Sequence, residues 1–250
     1  MALFTDGIIG AVGDLADHES GVLGLTSSEA IDLSAKLRLA QEEIGVELMN
    51  SSLRLAANGS NGLSLRNVAV TAPLKLWHVF HTLELVYREA STSQLNDRYR
   101  RKWQQYERLS KWASETLFHI GVGIVWDPVA AAEAPELGYV AGPVEAATYF
   151  VRMSWINSRG EEGSPGKLGT LDVPSGSLLV VRAAKAPGNA VGWNVYAGTS
   201  VEGVSLQNLT PLEPGESWVE DATGLKAGRL PGSGQEPNCL RGLPRVLQRG

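Results

Sequence analysis

The sequence predicts an α+β chain of several domains: an N-terminal α-helical bundle, an all-β sandwich, and an extended C-terminal tail. Three observations predict this. Between residues 26 and 121 apolar side chains recur every three or four positions, beyond residue 146 they alternate with polar ones, and after Gly224 Pro, Gly and Ser erase both periods. A chain of 250 residues is long enough for two folded units. Its 43% apolar and 20% charged content is that of globular protein rather than a disordered chain.

Residues 1–25 are small and Gly-rich and read as an extended N-terminal arm. They have no basic start and meet Asp6 early, which is not the pattern of a signal peptide. Thr26-Ser-Ser-Glu29 has the spacing of a capping box, Thr hydroxyl and Glu carboxylate each satisfying the other's backbone N–H. Behind it, Ala30, Leu33, Leu37, Ala40, Ile44 and Leu48 form one helical stripe running to about Leu55, with Gly45 as a weak point. Asn58 to Gly62 is a turn cluster. A second helix should begin near Thr71-Ala72-Pro73, where a first-turn proline loses no hydrogen bond, with Leu76, Trp77, Phe80, Leu83 and Tyr87 inward. Asn96 or Asp97 can cap a third, whose stripe is Tyr99, Trp103, Tyr106, Ser110, Ala113 and Leu117 and whose stop is Gly121. Residues 26–128 are thus the helical domain, its second and third helices antiparallel because their connection is short.

Residues 129–145, rich in Ala, Glu and Pro, read as a linker. In 146–225 the period becomes two: Tyr149, Val151, Met153 and Trp155 alternate with Phe150, Arg152 and Ser154. Leu178–Val181, Trp193–Tyr196 and Ser217–Glu220 are further strands between Gly, Pro and Asn punctuation, which predicts a β-sandwich. Residues 226–250 read as a docking tail. Pro231, Pro237 and Pro244 obstruct regular structure, while Leu240, Leu243, Val246 and Leu247 offer apolar anchors. Lys226, Arg229, Arg241, Arg245 and Arg249 against Glu236 give this tail a net +4, leaving −9 for the rest of a chain of net −5. Such asymmetry implies end-specific contacts rather than a uniform nucleic-acid coat.

The single cysteine, Cys239, excludes an internal disulfide and a Cys-rich zinc site. No run approaches the ~18–20 apolar residues of a membrane span. Walker, GxGxxG, GxSxG and HExxH motifs are missing, and Ser164-Pro-Gly-Lys167 matches SxxK in letters only. His78, His81 and Glu84 are three apart, but i and i+6 diverge on a helix, so the three cannot converge on one ion. Glu42-Glu43 and Glu161-Glu162 read as solvated face and turn. The expectation is therefore no catalytic, cofactor or metal residue. The basic run Arg98, Arg100, Arg101, Lys102, Arg108 and Lys111 is interleaved with aromatics at core spacing, so the rings are unavailable for base stacking and the charges face solvent, a protein partner or DNA phosphate. Arg98, Arg100, Arg101 and Lys102, with Arg241, Leu243, Arg245, Val246, Leu247 and Arg249, are the candidate partner-binding residues.

Tyr149-x-Val151 with Asn157 and Gly160 resembles the late-strand signature of fibronectin type III and related Ig-like modules, and Gly192-Trp-Asn-Val-Tyr196 resembles another of their strands, in permuted order. Permuted modules of this kind occur in tailed-bacteriophage structural proteins. The capped helix followed by a Trp- and Tyr-rich hairpin resembles the core of tailed-phage head-to-tail adaptor, or head-completion, proteins. These resemblances imply a non-enzymatic virion protein of the neck, assembled in the host cytoplasm. They imply a homo-oligomeric ring of twelve subunits that binds the portal protein and a tail or second neck protein. DNA would be passing cargo, with no membrane and no cofactor involved. The rival expectations are a tail-fibre or baseplate module whose sandwich binds a host glycan, which demands an exposed aromatic platform, and a small enzyme with a fibronectin-like accessory domain.

Overall fold

The computed structural model describes residues 1–56, 64–93 and 98–243. It is a mixed α+β protein, helices first and antiparallel strands after, divided into two compact units. The chain crosses between the units three times. The helical unit holds residues 7–125 and 237–250, and the β unit holds Met1–Asp6 and Trp126–Glu236.

In the helical unit, α1 (Val12–His18) and α2 (Val22–Ser28) lie within or begin in residues 1–25, the segment that the sequence predicts as an extended arm. Short helices with Gly at their edges leave too few apolar repeats to register as periodicity. The capping box is likewise replaced. Thr26 lies inside α2 and donates its hydroxyl to Val22 O, while Asp32 Oδ1 accepts from Ala35 N at 3.1 Å and starts α3 (Leu33–Ala56). Between them Ala30 takes a left-handed φ of 55°, and Ile31 N closes back on Thr26 O at 2.9 Å. That geometry favours glycine. Leu37, Ala40, Ile44 and Leu48 are buried, as their spacing predicts.

After a single 3-10 turn (Leu65–Asn67), α4 (Ala72–Ser93) is the axis of the unit, with α1, α3 and α5 (Arg100–Ile120) packed on it. Burial runs most of the way round α4, from Leu74, Trp77 and His78 to Leu85, Val86 and Tyr87, so it is wider than one stripe. Tyr106 of α5 stacks on Tyr87 with centroids 5.4 Å apart, and Phe118 meets Trp77 edge-on at 5.9 Å. Trp103 is only half-buried. The helix ends at Gly121, as predicted, with φ 110°. The turn cluster 58–62 and the caps Asn96 and Asp97 lie outside the described residues.

Beyond Gly121, β1 (Val122–Ile124) pairs antiparallel with β9 (Cys239–Arg241), so the end predicted as an extended docking tail includes a strand of this unit. The fit requires glycine. A Cβ on Gly121 would stand 3.1 Å from the Arg241 backbone, and one on Gly123 would meet the Pro237 ring at 3.1 Å.

In the β unit, β3 (Ala147–Asn157) and β6 (Ala190–Gly198) are central to a four-stranded antiparallel sheet, flanked by β4 (Gly169–Val173) and β7 (Ser205–Leu206). A second sheet has β5 (Ser177–Arg182) between β2 (Glu136–Ala141) and β8 (Ser217–Val219). Tyr149, Val151, Met153, Trp155, Trp193 and Val195 from the first sheet share one core with Leu179 and Val181 of the second. The predicted linker 129–145 is part of this unit: Val129 and Ala132 enter the core and β2 pairs with β5 along its whole length. As an edge strand with Tyr139 and Val140 exposed, β2 has no one-sided alternation to read. Met1–Asp6 is anchored by Asp6, whose carboxylate accepts from Leu3 N at 2.7 Å and Ala131 N at 2.8 Å. At the other end, the buried Gln235 side chain accepts from Val129 N and donates to Asp127 O and Glu161 Oε2.

Candidate interaction surfaces

The polar groups inside each unit are arranged as braces. In the helical unit, the His81 ring on α4 lies between two carboxylates, Nε2 at 2.6 Å from Glu43 of α3 and Nδ1 at 3.0 Å from Glu84 of its own helix. Burial disfavours the charged ring, yet Glu84 and Glu43 outweigh it and hold the pKa above the ordinary histidine value. Ser110 Oγ of α5 is 3.3 Å from the same Nδ1. In this Ser–His–Glu grouping both ring nitrogens face a carboxylate, Nδ1 that of Glu84 and Nε2 that of Glu43, so neither is reserved for the serine hydroxyl as the base of a nucleophilic triad requires. The three helices enclose a cleft of about 280 Å³ there, lined also by Glu47, Glu107 and Lys111. One turn away, the buried His78 donates from Nε2 to Leu37 O at 2.9 Å, and desolvation lowers its pKa. Its Nδ1 has no polar partner and faces Gly10, where a Cβ would come within 2.8 Å. Glu84 pairs with His81, and His78 bonds elsewhere, to Leu37 O. Among the described residues no group of three or more His, Cys, Asp or Glu could hold a metal, and no helix is long and apolar enough to cross a membrane.

Glu162 is the corresponding hub of the β unit. Its Oε1 accepts from Ser154, Tyr196 and Asn194 on the face of the four-stranded sheet away from the core, and Oε2 takes Arg229 Nη2 at 2.5 Å. Burial works to raise this carboxyl, but the four donors prevail and lower its pKa. Sequence reasoning places Glu162 in a solvated turn. The turn is real, but it folds back over the sheet, a long-range event with no local signature. Near one end of the strands, a cleft of about 600 Å³ is walled largely by Gly and Ala. Its buried carboxylate, Glu220, is already engaged by Tyr149 OH at 2.9 Å and Leu179 N at 3.1 Å.

The predicted partner-binding residues separate into two places. Arg98, Arg100, Arg101 and Lys102 surround the start of α5. Arg98, Arg100 and Arg101 are exposed, with the Arg98 guanidinium 5.2 Å from the Tyr99 ring. Lys102 is committed internally: its Nζ is 2.5 Å from Glu19 Oε2, which also accepts from Tyr106 OH at 2.9 Å. Arg241 lies in β9 opposite Val122, just past the other end of α5, about 30 Å away at 1.5 Å per helical residue. Arg241 therefore forms no single patch with the basic residues at the start of α5. Leu243, expected as an anchor for a partner, is buried within the chain itself. Arg245, Val246, Leu247 and Arg249 lie outside the described residues.

Periodicity reasoning overlooks what the helices leave outside. Val46, Met49 and Leu53 on α3 are 59%, 49% and 64% exposed, and Trp112 on α5 is 52% exposed. The signal was available as a second apolar series on α3, offset from the buried stripe. In the β unit Trp126 and Tyr139 are exposed, the former under the Arg159 guanidinium at 5.2 Å. Compared with known proteins, the chain matches no family model and no curated protein.

Proposed function

We propose that this chain is a non-enzymatic structural adaptor of a tailed-phage neck, in which copies form a homo-oligomeric ring joining the portal to the tail around the DNA passage. The observation that carries the reading is the surface of the helical unit. Its internal charges are used as braces, while a large aromatic, an apolar row and the basic residues of α5 remain outside, the composition of a protein-contact face. In the same reading the β unit is an Ig- or fibronectin-like sandwich. Its four-plus-three strand division and buried Trp155 and Trp193 support that assignment. The ring of twelve, the virion location and the portal as partner rest on the resemblance of the helical hairpin and the Tyr149–Gly160 strand. Native mass measurement of the purified protein, alone and with a portal protein, tests the proposal. The expected result is a multiple of the 26.7 kDa chain that gains portal mass on mixing. A species of single-chain mass in both samples overturns it.

One observation favours the glycan-binding alternative: the exposed Trp126 and Tyr139 of the β unit are the side chains such a module would use. The Arg159 guanidinium already covers one face of Trp126, which leaves less of that ring for a sugar. Loss of cell-surface binding in Trp126→Ala, with mass unchanged, would select that reading.

A further inference from the structure

Helix α3 carries two seams. Its inner one, Leu37, Ala40, Ile44 and Leu48, is buried within the unit. The outer one is Glu42, Val46, Met49 and Leu53, spaced four, three and four, the interval at which side chains line up along a straight helix–helix contact. Among the described residues of one chain nothing covers it, since all three apolar members are about half exposed or more. Helix α5 carries an outer seam at the same interval, in which Arg101, Arg108 and Trp112 are exposed. The two seams are unlike and complementary. The α3 seam is apolar with the Glu42 carboxylate at its head and Arg38 one turn before it. The α5 seam carries Arg101 and Arg108 beside one large ring, with Lys111 next to it and Glu115 one turn on, so that Glu42 is the partner for the two arginines.

Resting on the ring-forming reading above, we infer that the outer seam of α3 docks on the outer seam of α5 in a second copy of this chain, Trp112 covering the Val46–Met49–Leu53 row. Taken head-to-tail, the contact leaves one α3 seam and one α5 seam free at the two ends of any open series, so copies add until it closes into a ring. A two-fold contact between like seams would instead bring two basic seams or two apolar-acidic seams together, and like charges oppose the first. Arginine and tryptophan beside a partly desolvated apolar row are also the residue types that dominate contact energies.

The test uses the full chain with Met49→Lys and Trp112→Glu, both at exposed positions where folding is not at stake. Each variant alone should need at least about tenfold more protein to assemble than the unmodified chain, with an unchanged helical spectrum. Mixing the two should restore assembly. In an alternating series the two substituted positions meet at every second junction as a pair of opposite charges, and the junctions between keep Met49 against Trp112. If both variants assemble like the unmodified protein, the interface is wrong while the ring reading stands. If mixing fails to rescue two impaired variants, the pairing of these two seams is overturned. If the unmodified chain never exceeds single-chain mass, the ring reading falls and this interface with it.

Discussion

The two units hold their polar interiors together with groups of opposite kind. The helical unit centres on an imidazole, His81, held between helices by the Glu43 and Glu84 carboxylates, which raise its pKa. The β unit centres on an anion, Glu162, held over a sheet by Ser154, Asn194, Tyr196 and Arg229. All four histidines, His18, His78, His81 and His119, belong to the helical unit. The consequence is two pH windows. His81 has a raised folded pKa, so its stabilisation is complete below the unfolded value of 6.5 and is lost as pH rises through the folded value. His78, lowered by burial, acts in reverse and costs stability as pH falls below 6.5. Glu162 has a lowered folded pKa, so its stabilisation is present above the unfolded value of 4.5 and is lost as pH falls through the folded one. Neutral-to-alkaline change is therefore felt by the helices through His81, and acid by both units, by the helices through His78, Asp14, Glu19 and Glu84 and by the strands through Glu162.

The strongest test of this division removes residues 226–250. Both units should suffer, since the cut takes Arg229 and Gln235 from one and β9 with Leu243 from the other; we expect a loss above about 3 kcal/mol, read as lowered melting of both. Unaltered melting would make the segment a mere appendage. Next, Glu162→Ala strands three buried donors and should cost about 3 kcal/mol in the β unit, with the helical transition unmoved. His81→Gln should cost about 1–2 kcal/mol at pH 6 and abolish the loss of helical-unit stability on raising the pH past neutrality. A pH profile that keeps its slope in this variant would assign it to another group. The smallest effect expected is a gain: Ala30→Gly relieves a left-handed alanine and should add roughly 0.5–1 kcal/mol, seen as a small rise in melting temperature.

What the sequence disclosed was periodic. The stripe of α3 and the inward face of β3 follow from repeats of 3.6 or two that span several turns or residues, and the start of α4 and the stop of α5 from a first-turn proline and a terminal glycine. What it concealed was either short or distant. Helices α1 and α2 are two turns each, β2 is an exposed edge, and β9 gains its conformation only from a strand more than 110 positions earlier. The same holds for the polar groups. The His81–Glu84 pair is a local i, i+3 contact and was visible as spacing, whereas Glu43 joins it from 38 residues away and Arg229 joins Glu162 from 67. The surface seams stayed unseen because a periodicity search asks which residues face inward and stops once a core is found.

The triple crossing of the chain has a consequence for biosynthesis. Residues 1–6, made first, have their hydrogen-bonding partner Ala131 and the rest of their unit far downstream, and the helical unit lacks β9 until residue 241 has left the ribosome. At about 5–20 residues per second, the nascent helices wait roughly 6–25 s after α5 is made before their last strand arrives. The helical unit cannot be completed until the whole β unit, which ends at Glu236, has been translated. Gln235 of the β unit and β9 of the helical unit are made close together, so a chain cut short before them leaves two unfinished halves rather than one good domain and one missing.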